Sequence, residues 1–215
     1  RSFFEKKKNQ PKYTKALAVR VILKSMEKLN INENNISLFM GGNCHIVFYP
    51  INKMKELNMV CIIRSKKYDP DNIKFLIEQV VLKQNVNLKK IFDYQIQTWP
   101  LYFTPNILKS SNKKVFYIGD AFNSFLPTLA QGAGQSIESA YEIFNLVKKD
   151  KLSKTNTYFE ERSKRVKIIR GRSNFNFFFF HFSSSIMQVI RNKLLKFLLK
   201  RQTFIEGYLG KIFKI

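Results

Sequence analysis

Val115-Phe116-Tyr117-Ile118-Gly119-Asp120 is followed, after a short loop, by Pro127 and then by Gln131-Gly132-Ala133-Gly134-Gln135. Four apolar residues bounded by turn formers predict a strand buried on both faces, as in a parallel sheet. Gly119 and Asp120 then fall at its carboxyl end, where open α/β sheets bind ligands. An ionised Asp offers only acceptor oxygens, suited to ribose or ribityl hydroxyls. From Ile137, the residues Ala140, Tyr141, Phe144 and Val147 recur at helical spacing, which predicts a helix over 135–148 with these residues on its buried face. Its amino end lies at Gly132-Ala133-Gly134. Unpaired backbone N–H groups and the positive end of the helix dipole point outward there, and the glycines let an anionic or electron-rich ring approach the backbone.

A Gly-x-Gly before a helix often only makes a turn, but the longer string is more specific. Gly119-Asp120-Ala121, Leu126-Pro127 and Ala130-Gln131-Gly132-Ala133-Gly134-Gln135-Ser136-Ile137-Glu138 together resemble the second FAD-binding motif of the flavin-dependent aromatic hydroxylases, of the salicylate and 3-hydroxybenzoate hydroxylase type. The resemblance implies that Asp120 binds the ribityl or ribose part of FAD. It also implies that Pro127 lies beside the isoalloxazine ring and that Gln131, Gly132, Ala133 and Gly134 face the flavin's pyrimidine edge. Other segments follow in the same order. Arg1-Ser2 is similar to the end of the family's Gly-Ala-Asp-Gly-x-x-Ser-x-x-Arg region, and Ala18-Val19-Arg20 to its Ala-Trp-Arg strand. His45–Pro50 and Asn58-Met59-Val60 resemble substrate-domain strands, and Tyr158–Arg165 resembles a Tyr-Glu-x-x-Arg-x-x-Arg helix. Asn123 and Ser139 depart from the pattern, standing where the family usually has His and Asp.

The implied fold is α/β (α+β): part of an FAD/NAD(P)-binding Rossmann-like domain, an inserted mixed-sheet substrate domain and a carboxyl-terminal helical region. The expected divisions are 1–112 for the substrate sheet, 113–150 for the flavin segment and 151–215 for the helices. No Gly-x-Gly-x-x-Gly follows a strand here, and the first residue is Arg1. The chain is therefore expected to be the carboxyl-terminal portion of a longer enzyme whose amino-terminal fingerprint binds the ADP half of FAD. The implied activity is that of a flavin monooxygenase: NAD(P)H reduces FAD, dioxygen adds at the flavin C4a, and the hydroperoxide hydroxylates a small aromatic substrate. An isoprenoid or quinone precursor is the alternative substrate, and a basic module for membrane or nucleic acid is the reading from another class.

Within the first division, strands are expected at Ser37–Met40, His45–Tyr49 and Met59–Ile63. A helix should run from Asp69-Pro70-Asp71 to Lys83, with Phe75, Leu76, Gln79 and Val80 on its buried side. Strand positions four apart share a face, so His45 and Tyr49 are the candidate catalytic pair: His to accept a phenolic proton, Tyr to hydrogen-bond a phenolate or carboxylate. The same His-x-x-x-Tyr spacing lines the active site in hydroxybenzoate-type relatives. The competing reading is a strand histidine satisfied by its neighbours and a tyrosine in the sheet. His181, inside the run Phe177–Phe182, reads as structural.

A hydrophobic fraction of 45% in 215 residues suffices for a sizeable core. The formal net charge of +23 comes from 29 Lys and 9 Arg, spread along the chain, against 15 Asp and Glu. Bidentate phosphate binding favours Arg, so solvated lysine faces are expected here and no nucleic-acid partner is. Cys44 and Cys61 have neither metal-binding nor redox spacing and are expected to be reduced and buried, with no metal site. With no signal sequence and no membrane-spanning run, a cytoplasmic location is expected. In the tail, Ile186, Ile190, Leu194 and Leu198 recur at helical spacing among Arg191, Lys193, Lys196 and Lys200. Such a stripe is expected to pack on the parent protein, with a membrane surface as the alternative.

Overall fold

The computed structural model describes residues 10–24, 34–81, 86–104, 109–110, 112, 115–149, 151–210 and 212. The segment Arg1-Ser2, and the end of the expected helix at Lys83, lie outside these. The chain divides into two compact units. They do not follow the three expected divisions, because residues 178–193 join 13–101, while the second unit is built on 102–177 with the segment from Leu194.

The first unit is a five-stranded sheet in the order β2-β3-β4-β1-β5. Its strands are β1 (Lys12–Leu23), β2 (Ser37–Gly41), β3 (Cys44–Ile51), β4 (Glu56–Arg64) and β5 (Ile96–Phe103). The pairs β2–β3, β3–β4 and β4–β1 are antiparallel, with Ile46 opposite Cys61 and Val19 opposite Cys61 on its other side. Strict alternation sends Cys44, Ile46 and Phe48 of β3, Leu57, Met59, Cys61 and Ile63 of β4, and Val19, Val21 and Leu23 of β1 into one core. Both thiols are free and fully buried in it, as the sequence predicts.

Helix α1 (Ile73–Val81) closes this core face together with a 3₁₀ segment at Val86–Asp93. Asp69 starts it: one carboxylate oxygen accepts the Asp71 N–H at 3.2 Å and the other the Asn72 amide at 2.8 Å. The buried side of α1 is Ile73, Leu76, Ile77 and Val80. Phe75 and Gln79, expected on that side, are exposed, because the 73–76–77–80 set forms the continuous stripe.

The second unit contains the short helix α2 (Gly119–Phe122), α3 (Gly132–Lys148), most of α4 (Thr155–Phe180), the end of α5 (Ser185–Leu198) and α6 (Gln202–Leu209). Two expectations change here. Residues 115–118 are not a strand. Ile118 has extended backbone (φ −130°, ψ 164°), but no ladder partner exists for the segment among the described residues, and a strand needs a neighbour to satisfy its N–H and C=O groups. Tyr117 instead packs with Phe122 and Val166, and Val115, Ala121, Phe125 and Phe159 complete the cluster.

Helix α3 forms where predicted, but its apolar stripe is outward. Ile137 is 70% exposed, and Ala140, Tyr141, Phe144 and Val147 are exposed with it, while Gln135 and Ser139 are buried. The reason is Arg162 of α4, whose guanidinium donates to the Gln135 carbonyl at 2.6 Å and to Gln135 Oε1 at 2.8 Å. Glu138 reinforces the same side, 3.1 Å from Arg162 and 2.5 Å from Arg165. A buried guanidinium must be paired, so the polar face of α3 turns toward it.

Candidate functional site

Gly119 opens the candidate flavin segment with φ +56°, and a Cβ there would lie 2.6 Å from Ser136 Oγ. Only glycine meets both conditions, and it fixes how closely α2 approaches the start of α3. Asp120 follows in the first turn of α2, with its side chain exposed.

The loop to α3 is held from below. Pro127–Leu129 form a 3₁₀ turn that ends on Ala130 in the left-handed region (φ 52°). Thr128 Oγ1 donates to the Ser173 carbonyl at 2.7 Å, and Ser173 Oγ donates to the Leu126 carbonyl at 2.5 Å. Asn123, one of the two departures from the family pattern, is buried and accepts a hydrogen bond from Arg170 at 3.2 Å. Ser139, the other, donates to the Gln135 carbonyl at 2.7 Å. Asn123 is thus held by α4, and Ser139 is satisfied within α3 itself.

At the α3 amino terminus Gln131 makes no side-chain cap. A Cβ on Gly132 would meet nothing within 4 Å, and one on Gly134 only Gln131 Oε1 at 3.9 Å. Side chains are thus kept off these two positions, and Gln131 leaves the first N–H groups of α3 without a side-chain cap, which is what an anion or an electron-rich ring edge requires. Gly119, Asp120, Pro127, Gln131, Gly132, Ala133 and Gly134 lie along one backbone path from the turn into α2 to the first turn of α3, and Gly132 and Gly134 carry no side chain that would block a ligand. That fits the flavin part of FAD.

In the sheet unit, His45, Val47 and Tyr49 occupy the β3 face opposite the core. The register places Tyr49 beside Asn58, and Asn58 beside Ile22. Asn58 is fully buried, and its Oδ1 accepts a hydrogen bond from Arg20 Nε at 2.6 Å, while its Nδ2 has no hydrogen-bond partner. Arg20 also lines a cavity of about 440 Å³ with Ile22, Lys24, Glu56, Tyr94 and Gln97.

His45 and Tyr49 share this face, but their surroundings differ. Tyr49 is partly exposed. His45 is 2% exposed, its Nδ1 lies 2.8 Å from Nε2 of His181, and Phe180 packs edge-on at 5.4 Å. Burial lowers the His45 pKa from 6.5 to about 4. Burial, and then the neighbouring His45, lower that of His181 to about 3. Two elements deliver this contact: β3 supplies His45, and the chain leaving α4 supplies His181, whose N–H donates to the Phe178 carbonyl. Arg191 of α5 secures the corner by donating to the carbonyls of Phe180 at 3.0 Å and Met40 at 3.2 Å.

Sequence reasoning did not single out Arg20 as a site residue, nor Asn58, and took His181 only as structural. Arg20 and Asn58 did lie in segments recognised as family-like, and the alternation 58–60–62 against 18–20–22 is the signal that puts them on one face. Among the described residues no group of three His, Cys, Asp or Glu side chains is placed to hold a metal ion.

No protein-family model matches the chain, and no curated protein matches it. Solved structures do. A structure of Klebsiella pneumoniae HpxO complexed with FAD and uric acid superposes with a TM-score of 0.79 at 13% identity, covering 98% of this chain and 56% of that one. A salicylate hydroxylase substrate complex gives 0.66 at 16% identity over 93% of this chain and 57% of that one. CtdE in complex with FAD and a substrate gives 0.67 at 18% identity, with 86% and 52% covered. The chain spans a little over half the length of these proteins and has the mixed helix-and-sheet fold of the corresponding part of FAD-binding monooxygenases.

Proposed function

We propose that this chain is the flavin- and substrate-binding portion of an FAD-dependent monooxygenase that uses NAD(P)H and dioxygen to hydroxylate a small aromatic compound. The observation that carries the proposal is the bare, uncapped α3 terminus at Gly132–Gly134, preceded by the exposed Asp120, in a fold shared with structures that contain FAD. FAD, when bound, supplies the activation of dioxygen, and the protein positions the substrate and excludes water.

In this proposal Asp120 accepts hydroxyl groups of the ribityl or ribose chain. The N–H groups of Gly132, Ala133 and Gly134 face the electron-rich edge of the ring, and Pro127, fixed by the Thr128–Ser173 hydrogen bond, packs beside it. Tyr49 provides the phenolic hydroxyl that hydrogen-bonds a substrate phenolate or carboxylate. Arg20, oriented by Asn58, supplies a nearby positive charge. His45 acts on the same substrate either by taking its proton or, through the hydrogen bond to His181, by fixing the strand on which Tyr49 sits.

The test is FAD titration of the complete protein followed by a screen of hydroxybenzoates for stimulation of NADH or NADPH oxidation. FAD retained through gel filtration, with substrate-stimulated oxidation and a hydroxylated product, is expected. Full FAD retention by Asp120→Ala would remove the assigned contact, and flavin-bound protein inert toward every phenolic acid and both nicotinamides would remove the reaction.

A further inference from the structure

Helix α5 (Ser185–Leu198) turns its polar and branched residues to different sides from those of an ordinary surface helix. Its inward side carries Gln188, Arg191 and Leu195. Its outward side carries Ile186, which is 73% exposed, and Ile190, Leu194 and Phe197, all exposed as well. At 100° per residue these four fall within one quadrant, and Lys193, Lys196 and, just past the helix end, Lys200 follow one another along its flank, all exposed. The chain has no Asp or Glu between Glu161 and Glu206, an interval that contains eleven Lys and Arg residues. No helix among the described residues is long and apolar enough to cross a membrane.

We infer that α5 lies on the surface of a membrane bearing anionic lipid, with Ile186, Ile190, Leu194 and Phe197 in the acyl boundary and Lys193, Lys196 and Lys200 at the headgroups. An exposed apolar stripe alone does not name its occupant. The charge does: an apolar strip flanked by lysines, in an acid-free stretch of a chain with net charge +23, is complementary to a surface that is apolar below and negative above. A second copy of this chain would set lysines against lysines. A nucleic acid would leave the apolar strip unburied.

The experiment is vesicle co-sedimentation of the full chain with phosphatidylcholine vesicles, with and without about one-third phosphatidylglycerol. Binding to the anionic vesicles alone is expected, weakened by 0.5 M salt. Ile190→Glu should abolish it, and Lys193→Glu should weaken partition roughly fivefold or more, the scale for one basic residue near an anionic surface. Both side chains are exposed, so each variant should keep the wild-type circular dichroism melt, which is checked first. Should a variant melt early, Ile190→Ser replaces it as the milder probe of the same face. Absence of binding to anionic vesicles overturns the inference. So does binding unchanged by either substitution and matched on duplex DNA, which would be adhesion by net charge. A dimer on gel filtration that Ile190→Glu dissociates would assign the face to a second copy instead, and vesicle binding by this chain that the complete protein lacks would assign it to the parent protein.

Discussion

His45 Nδ1 and His181 Nε2 stand 2.8 Å apart with both rings buried. At that distance one nitrogen donates and the other accepts, an arrangement lost when both rings are protonated, and burial favours the neutral pair. Both pKa values fall below the ordinary 6.5, to about 4 and about 3. As pH falls below 6.5 the unfolded chain takes up protons that the folded chain refuses, so the stability from this pair is fully present above pH 6.5 and is lost between about 6.5 and 3. Urea denaturation at pH 7.5 and pH 4.5 should differ by on the order of 5 kcal/mol, from nearly two pKa units at each of two rings. In His45→Gln/His181→Asn most of that difference should vanish; an equal difference in the double variant would place the pH dependence elsewhere.

Arg162 is the polar anchor between α3 and α4. Replacing it with Ala leaves Gln135 without its partner and Glu138 with Arg165 alone, and removal of one member of a buried pair costs about 3 kcal/mol or more. Arg165, more exposed, also donates to the Ile212 carbonyl; its removal should cost about 1 kcal/mol. Chemical denaturation of the two variants side by side reads the ranking directly.

The glycines of the flavin segment should separate stability from binding. Gly119→Ala meets a left-handed φ and a 2.6 Å approach to Ser136 Oγ, and should lose about 2 to 4 kcal/mol of stability. Gly132→Ala meets open space and should leave the melting temperature unchanged or slightly raised. Gly132→Val, by contrast, should weaken FAD retention at unchanged stability. Equal FAD occupancy in that variant would show that the α3 terminus is not the flavin contact.

For the sheet face, Tyr49→Phe removes one hydroxyl at a partly exposed position and should lower kcat/KM roughly tenfold or more, with folding and FAD occupancy intact. His45→Ala should retain FAD and lower coupled hydroxylation roughly a hundredfold, with nicotinamide oxidation continuing and peroxide released. The pH profile separates the two roles of His45. A base gives an activity limb that its substitution removes, whereas a residue that only holds β3 leaves the limb in place.

Much of the architecture is written in short-range patterns. Alternation at 44–49 and 57–63 is enough for β3 and β4, and Asp69 announces α1 before its apolar stripe begins. The helix after Gly132 is equally plain. Its orientation is not, because the choice of which face to bury is made by Arg162, 27 positions away. Likewise nothing near His45 announces His181, 136 positions distant, and the Arg20–Asn58 pair becomes visible only once the β1–β4 register is known. The expected strand at 115–118 depended on a neighbour, and its local composition carries no information on whether that neighbour is present.

Cys44 and Cys61 sit on adjacent strands, both shut away from solvent in the middle of the sheet core. Neither thiol can meet an alkylating reagent until this core opens, by lifting of α1 and the 3₁₀ segment or by parting of the strands, so the rate of labelling becomes a stopwatch for that opening under native conditions. If the two cysteines are modified in step, the strands open as one cooperative unit. If Cys44 reacts first, the hairpin of β2 and β3 peels from the rest, and mass spectrometry of partly labelled protein would time that event without any added probe.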